Sequence, residues 1–355
     1  MTFSVAVPLF NHGAFVGATI DSVLAQSYED WELLVSDNAS TDNSRAVVAA
    51  REDDPRVQVA SNRYNLGFAA NLDRAVALGS AEHVILLSSD DLVEPTALER
   101  YAAVLEAIGP QRAANAVVIS TRTRIDEHGA VAPAAQQTKP QLPAAKLDAE
   151  LTAALGVDVR AALAPDVLAD ALRRMRNPLP FLTTCYPRQL WEDVGGYRGG
   201  RLLNPDKWFA WRLLSVASEV IAIDEPLFQY RVHSGNQEKI RQSVRTLRHA
   251  VDDYYSVLET DDRMLKVAGL TRDELLRAYL REDISKRAAV FAVSGNALAA
   301  RRYRRFGASI AGLERWRDPW WWIAGVLVVV GPVIGPALRP AVQRRTSRSF
   351  FHSAG

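Results

Sequence analysis

The sequence predicts an α/β fold: a mostly parallel sheet flanked by helices, then a C-terminal helical extension and an apolar membrane-associating segment. Three observations predict it. Strand and helix patterns alternate over the first hundred residues. Acids and amides follow the ends of those strands. Near the end of the 355-residue chain, Pro319–Leu338 carries no charge over about 20 residues, the length that spans a bilayer.

The elements follow in order. "FSVAVPLF" is a short apolar strand ended by "NHG". From Phe15 to Leu24, Val16, Ile20, Val23 and Leu24 share one helical face. "WELLVSD" is a second strand, and "ASTDNSRAVVAAR" opens with capping residues and continues as a helix. "RVQVAS" is a third strand, "LGFAANLDRAVALGS" a helix closed by glycine, and "HVILLSS" a fourth strand. "EPTALERYAAVLEAIG" starts a helix with Pro95 in its first turn. Such alternation implies a parallel sheet covered on both faces.

Composition narrows the function. The formal net charge is +1, without the basic excess of a nucleic-acid-binding domain, so no nucleic-acid partner is expected. Cys185 is the only cysteine, which excludes an intrachain disulfide and a cysteine metal cluster. The chain opens directly on a strand pattern, without a signal-type apolar core, which suggests a cytoplasmic start.

Residues 130–171 shift to Ala, Pro and Gln and read as an insertion, an exposed linker followed by an alanine-rich helix or two. Phe181–Tyr186 reads as a strand, Arg188–Val194 as a helix, Gly195 and Gly196 as a turn, and "PDKWFAWRLLSVA" as a helix. "EVIAID" and "PLFQYRVH" are strands. Residues 237–318 form a charged, amphipathic helical extension.

Parallel sheets of this kind bind ligands beyond the carboxyl ends of their strands. Asn11, Asp37, Asn62 and the pair Asp90–Asp91 all follow such ends. Two unit charges about 4 Å apart at an effective dielectric near 20 repel by roughly 4 kcal/mol, so adjacent acids at the end of a buried strand point to a bound cation. A capping role for the helix that starts near Pro95 is the other reading of that pair.

The ordered set "VAVPLFNHGAFVGATIDSVLAQSYEDWELLVSDNASTDNS", "NLGFAANLDRAV", "LLSSDDLVEP", "VGGYRGG…NPDKWFAWRLL" and "YRVHSGN" resembles the family 2 glycosyltransferases of GT-A fold, over roughly residues 3–236. The resemblance implies a site for a nucleotide-diphosphate sugar, with Pro8 and Phe10 lining the base pocket and Asp37 accepting from the base. It implies Asp90 toward the ribose and Asp91 on a divalent metal, Mg2+ or Mn2+. Where the family often has a further acid two residues before the pair, this chain has Ser88. In "NPDKWFAWRLL" the first acid of a family pair is Pro205, which leaves Asp206 as the general base for an inverting displacement. His233 matches a family histidine near the diphosphate, as metal ligand or hydrogen-bond donor. Asn11, Asn62 and Arg231 complete the implied donor site, Arg231 by pairing with phosphate.

The expected activity is therefore metal-dependent, inverting transfer from a UDP- or dTDP-sugar to a hydroxyl acceptor, lipid-linked or a cell-envelope glycan. A catalytically silent nucleotide-sugar binding module or scaffold at the membrane is the alternative. A nucleotidyltransferase would show a Gly- and Arg-rich phosphate loop after the first strand, and "PLFNHGAF" lacks one. Arginines flank the 319–338 segment on both sides, including Arg315 and Arg317 before it and Arg339 and Arg344 in the basic tail 339–355. With Pro332 and Pro336 inside it, the segment reads as entering the membrane without crossing, a single span or a buried core helix being the alternatives. The expected location is the cytoplasmic face of the cell membrane.

Overall fold

The structure is a computed structural model that describes residues 1–131, 137–198, 202, 204–233 and 247–330. The described parts of Met1–Val167 and Pro178–Ser234 form one compact unit, and those of Leu168–Asn177 and Gly235–Gly355 form a second. The expected apolar segment is thus described as far as residue 330. Its remainder, the basic tail and the start of the helical extension lie outside the described residues.

The first unit opens with β1 (Phe3–Leu9), α1 (Val16–Leu24), β2 (Trp31–Asp37), α2 (Ser44–Ala49), β3 (Val57–Ser61), α3 (Phe68–Ala77) and β4 (His83–Leu86). β5 (Leu92–Val93), α4 (Ala97–Ile108), α5 (Pro110–Ala113), β6 (Ala116–Ile125), β7 (Lys146–Leu147), α6 (Ala149–Leu155), β8 (Val159–Leu163) and α7 (Ala164–Arg174), which belongs to the second unit from Leu168 on, follow. Then come β9 (Cys185–Pro187), α8 (Arg188–Val194), α9 (Pro205–Leu214) and β10 (Glu219–Arg231). All seven residues of β1 and all four of β4 are buried, as continuous apolar strands covered on both faces must be.

One sheet runs in the order β3-β2-β1-β4-β9-β6-β10-β8-β7, with β5 paired to β10. It is mixed rather than mostly parallel. β1–β2, β1–β4, β2–β3 and β6–β10 pair in parallel. β9 runs antiparallel to β4 and β6, and β8 antiparallel to β10. The reason is β9: Cys185 pairs with both Ile85 and Val118, so a short return strand joins two parallel blocks. The first half of the expected strand Phe181–Tyr186 is instead a single 3-10 turn, Phe181–Thr183, ahead of β9.

Two further elements differ from the sequence reading. The alanine-rich region supplies a strand, β8, to the main sheet beside β10, because cross-strand pairing outweighs the helix propensity of "VRAAL". The two expected strands "EVIAID" and "PLFQYRVH" are one long strand, β10, whose register shifts on either side of Pro226, a residue with no N–H for the ladder.

Counting antiparallel steps across β4, β9 and β6 shows that β1, β4, β6 and β10 all end at the same edge of the sheet. The chain leaves β1 toward β2 and β3 and returns on its other side at β4. This is a topological switch point, where diverging connections leave a crevice.

The second unit is helical. Leu247–Glu259, Asp262–Val267 and Arg272–Tyr279 lead through a π-helical turn, Leu280–Ser285, into Lys286–Val293, and Ala297–Ala311 follows. Thr271 and Glu274 form a reciprocal capping box at the start of the third of these. Partly buried Arg287 pairs with the buried Asp253 at 3.2 Å and with the buried Asp283. Residues 319–330 are also helical. Among the described residues no helix is long and apolar enough to cross a membrane.

Candidate metal centre and active site

The loop after β1 is held by the loop after β2. Asn11 adopts a φ of 53°, a left-handed turn that a short polar side chain tolerates. Its backbone N–H donates to Ser40 Oγ at 3.0 Å, and its side-chain oxygen accepts from the Thr41 N–H at 2.8 Å. The His12 N–H donates to Ser44 Oγ at 3.0 Å and the Gly13 N–H to Asp42 at 2.9 Å. A Cβ on Gly13 would lie 2.0 Å from Asn43 Oδ1, so only glycine permits the two loops to interlock. These bonds fix where His12 stands.

The imidazole of His12 reaches Ser89 Oγ through Nδ1 at 2.8 Å, tying the end of β1 to the end of β4. One residue on, Asp90 Oδ2 lies 2.9 Å from Nε2 of His233, just past the end of β10. His12, Asp90 and His233 each offer one ligand atom, all within 4.8 Å of one another, so they can hold a metal ion together. Three strands converge on this point, and it lies at the switch point predicted for a ligand.

Asp91, expected as the metal ligand, stands outside this group. Its side chain is 1% exposed, and Oδ1 accepts the Arg231 N–H at 2.8 Å. Burial pushes the Asp91 carboxyl well up, and the neighbouring Asp90 charge pushes in the same direction. β5 begins with the next residue and pairs Leu92 with Gln229 and Val93 with Phe228 of β10. That strap turns Asp91 into the protein and leaves Asp90 facing the histidines. The adjacent acids therefore have separate tasks.

Arg231, expected to pair with phosphate, is bonded into the surrounding framework. It is buried, and Nε donates to the Asp90 carbonyl at 2.7 Å. Nη1 donates to the carbonyls of Asp126 at 3.3 Å and Glu127 at 3.1 Å. Its Cζ lies 5.4 Å from the centroid of the Phe15 ring, which itself packs 4.6 Å from His233. Arg231→Met should leave those three carbonyls without their donor and cost about 2–4 kcal/mol of stability. Urea unfolding checks this, and an unchanged midpoint with weakened donor binding would give Arg231 the phosphate role alone.

The remaining donor-side residues gather at the same edge. Pro8 is buried within β1, and Phe10 stands exposed just after it. Asp37 is buried and accepts the Ser40 N–H at 3.1 Å. Asn62 donates to Asn38 Oδ1 at 3.1 Å and to Asn71 Oδ1 at 2.9 Å, while Asn38 Oδ1 also accepts the Leu66 N–H at 2.8 Å. Asn11 and Asn62 thus hold the loops that carry the site.

Residues 4–151 match the family described as Glycosyl transferase family 2. Over those residues the chain is similar to that family. The chain is 37% identical over 89 residues to the UDP-Glc:alpha-D-GlcNAc-diphosphoundecaprenol beta-1,3-glucosyltransferase WfgD of Escherichia coli, covering 25% of this chain and 35% of that protein. It is 30% identical over 97 residues to the glycosyltransferase GlyG of Streptococcus pneumoniae, covering 27% and 32% respectively. The chain thus spans about a third of the length of these curated relatives. The fold is similar to that of S. aureus TarS residues 1–349, solved with UDP-GlcNAc, with a TM-score of 0.62 and 14% identity over 96% of this chain and 92% of that one.

Downstream of the family match, a turn forms at Gly195 and Gly196. Both have positive φ, 68° and 72°. Asp73 Oδ1 accepts the Tyr197 N–H at 2.7 Å and Trp191 Nε1–H at 3.3 Å. Burial pushes the Asp73 carboxyl up despite those bonds. A Cβ on Gly196 would lie 2.4 Å from Asp73 Oδ1. Arg212 donates to the carbonyls of Val194 at 2.7 Å and Tyr197 at 2.9 Å. Asp206 is partly exposed in the first turn of α9, the helix that carries Arg212. Trp208 and Trp211 are buried, so their indoles belong to the core.

His12 is the site residue the sequence reading passed over. The available signal was its place at the carboxyl end of β1, beside the neighbour of β4, where a switch point must fall.

Proposed function

We propose that this chain is a metal-dependent, inverting glycosyltransferase that moves a sugar from a nucleoside-diphosphate donor to a hydroxyl acceptor. The observation that carries the reading is the group His12, Asp90 and His233, brought together at the switch point of a family 2 domain. One carboxylate with two imidazoles is a mixed oxygen and nitrogen donor set. It suits Mn2+ better than Mg2+, which prefers oxygen ligands. Asp90, His233 and His12 would hold the ion, which supplies Lewis-acid neutralisation of charge on the leaving diphosphate.

The chain's own residues do the rest. Phe10 and Pro8 offer an apolar surface to the base, and Asp37 offers it an acceptor. Arg231 holds the Asp90 carbonyl in place from behind. Asp206 takes the acceptor hydroxyl proton, on the side away from the diphosphate. The relative WfgD, by its name, uses UDP-Glc and a diphosphoundecaprenol-linked sugar, which supports a UDP- or dTDP-sugar donor and a lipid-linked or cell-envelope glycan acceptor. The arginine-flanked apolar segment supports work at the cytoplasmic face of the cell membrane.

A panel of nucleotide sugars, scored for nucleoside diphosphate release with and without Mn2+ or Mg2+, tests the reading. Release that requires the ion is expected. Donor binding without release under any of these conditions would leave a silent binding module instead.

A further inference from the structure

Residues 319–330 form a helix that is apolar on every side. Such a helix is normally buried all round, and here only one side is. Trp321 and Ala324 are buried, and Arg304 stacks on Trp321 at 4.5 Å and donates to its carbonyl at 2.7 Å. A Cβ on Gly325 would lie 2.4 Å from Arg304, and one on Gly307 3.0 Å from the Trp321 ring. Asp318, just before the helix, is fixed by Ser285 at 2.8 Å. The other side, Trp322, Ile323, Val326 and Val329, is 56%, 44%, 59% and 76% exposed. Trp322 is steadied there by Trp316, its Nε1–H donating to the Trp316 carbonyl at 3.1 Å.

Charge says what covers this side. Residues 297–330 hold six arginines (301, 302, 304, 305, 315 and 317) and two acids (314 and 318), a net of +4. Arg301, Arg302, Arg305 and Arg317 are exposed. A protein interior or an ordinary apolar partner gains nothing from this positive charge, whereas an anionic lipid surface takes both the apolar strip and the cations.

We infer that Trp322, Ile323, Val326 and Val329, together with the exposed arginines Arg301, Arg302, Arg305 and Arg317, form an in-plane docking face for an anionic phospholipid bilayer. The helix lies along the interface with its inner side clamped to Ala297–Ala311, and tryptophan suits the headgroup level. This rests on the proposal that the chain works at a membrane, and it names the residues that attach it.

The test is co-sedimentation of the full chain with vesicles of phosphatidylcholine alone, or with one third phosphatidylglycerol. Binding to the anionic vesicles alone is expected, and it should weaken as salt shortens the screening length. Trp322→Ser/Ile323→Ser/Val326→Ser/Val329→Ser, and separately Arg301→Glu/Arg302→Glu/Arg305→Glu, should each lower the partition coefficient at least tenfold. Circular dichroism and nucleoside diphosphate release with a soluble acceptor should stay unchanged. If the wild type binds and both variants bind equally well, the face is wrong although membrane attachment stands. If the wild type does not bind, both fall. If the serine variant instead turns a dimer into a monomer with vesicle binding intact, the face is a contact between copies and the lipid assignment is overturned.

Discussion

Asp90→Asn removes ion-dependent nucleoside diphosphate release almost completely. Asp90 is the sole carboxylate of the His12–Asp90–His233 group, so the amide takes away the only negative charge that offsets a divalent cation there. Several kcal/mol of Lewis-acid stabilisation depend on that ion, which corresponds to a rate loss of roughly 10²–10³-fold. The fold should survive, because Asn can still bond to His233 from the same position. The matched substitution Asp91→Asn is expected to behave quite differently. Its amide oxygen can still accept the Arg231 N–H, and the change removes a buried like charge beside Asp90. Turnover should stay within a few-fold of wild type. Equal losses in the two variants would mean that both acids act on the ion.

Asp206→Asn is expected to separate binding from transfer. A positioned general base contributes about 10²–10⁴-fold, so kcat should fall by that factor. Donor and Mn2+ affinity, read by calorimetry, should not move, since Asp206 lies outside the metal group. Transfer that persists at the wild-type rate would show that another group takes the acceptor proton. Loss of donor affinity in parallel with kcat would place Asp206 on the donor instead.

Much of this was legible in the residues. Continuous apolar strands, each ended by an acid or amide, located the sheet edge where the site lies. The acid pair after β4 marked the crevice, and His233 came from the segment after the last strand. What the sequence hid was direction. Which of Asp90 and Asp91 faces out depends on β5 pairing with β10, a partner more than 130 positions further along the chain. The neighbours that Asn62 and Arg231 bond to, Asn38, Asn71 and the 126–127 carbonyls, come together only in three dimensions. β8 was hidden for a related reason. "VRAAL" has little strand preference of its own and becomes a strand only because the edge of β10 is there to pair with it.

The central claim is that Asp90 with the two histidines, and not Asp91, holds the cation. The most direct measurement is anomalous scattering at the manganese absorption edge, from crystals grown with Mn2+ and a nucleoside diphosphate. The account predicts a peak in contact with Asp90 and His233, with His12 as the third ligand. A peak coordinated by Asp91, or none beside Asp90 while the nucleotide is bound, would contradict it.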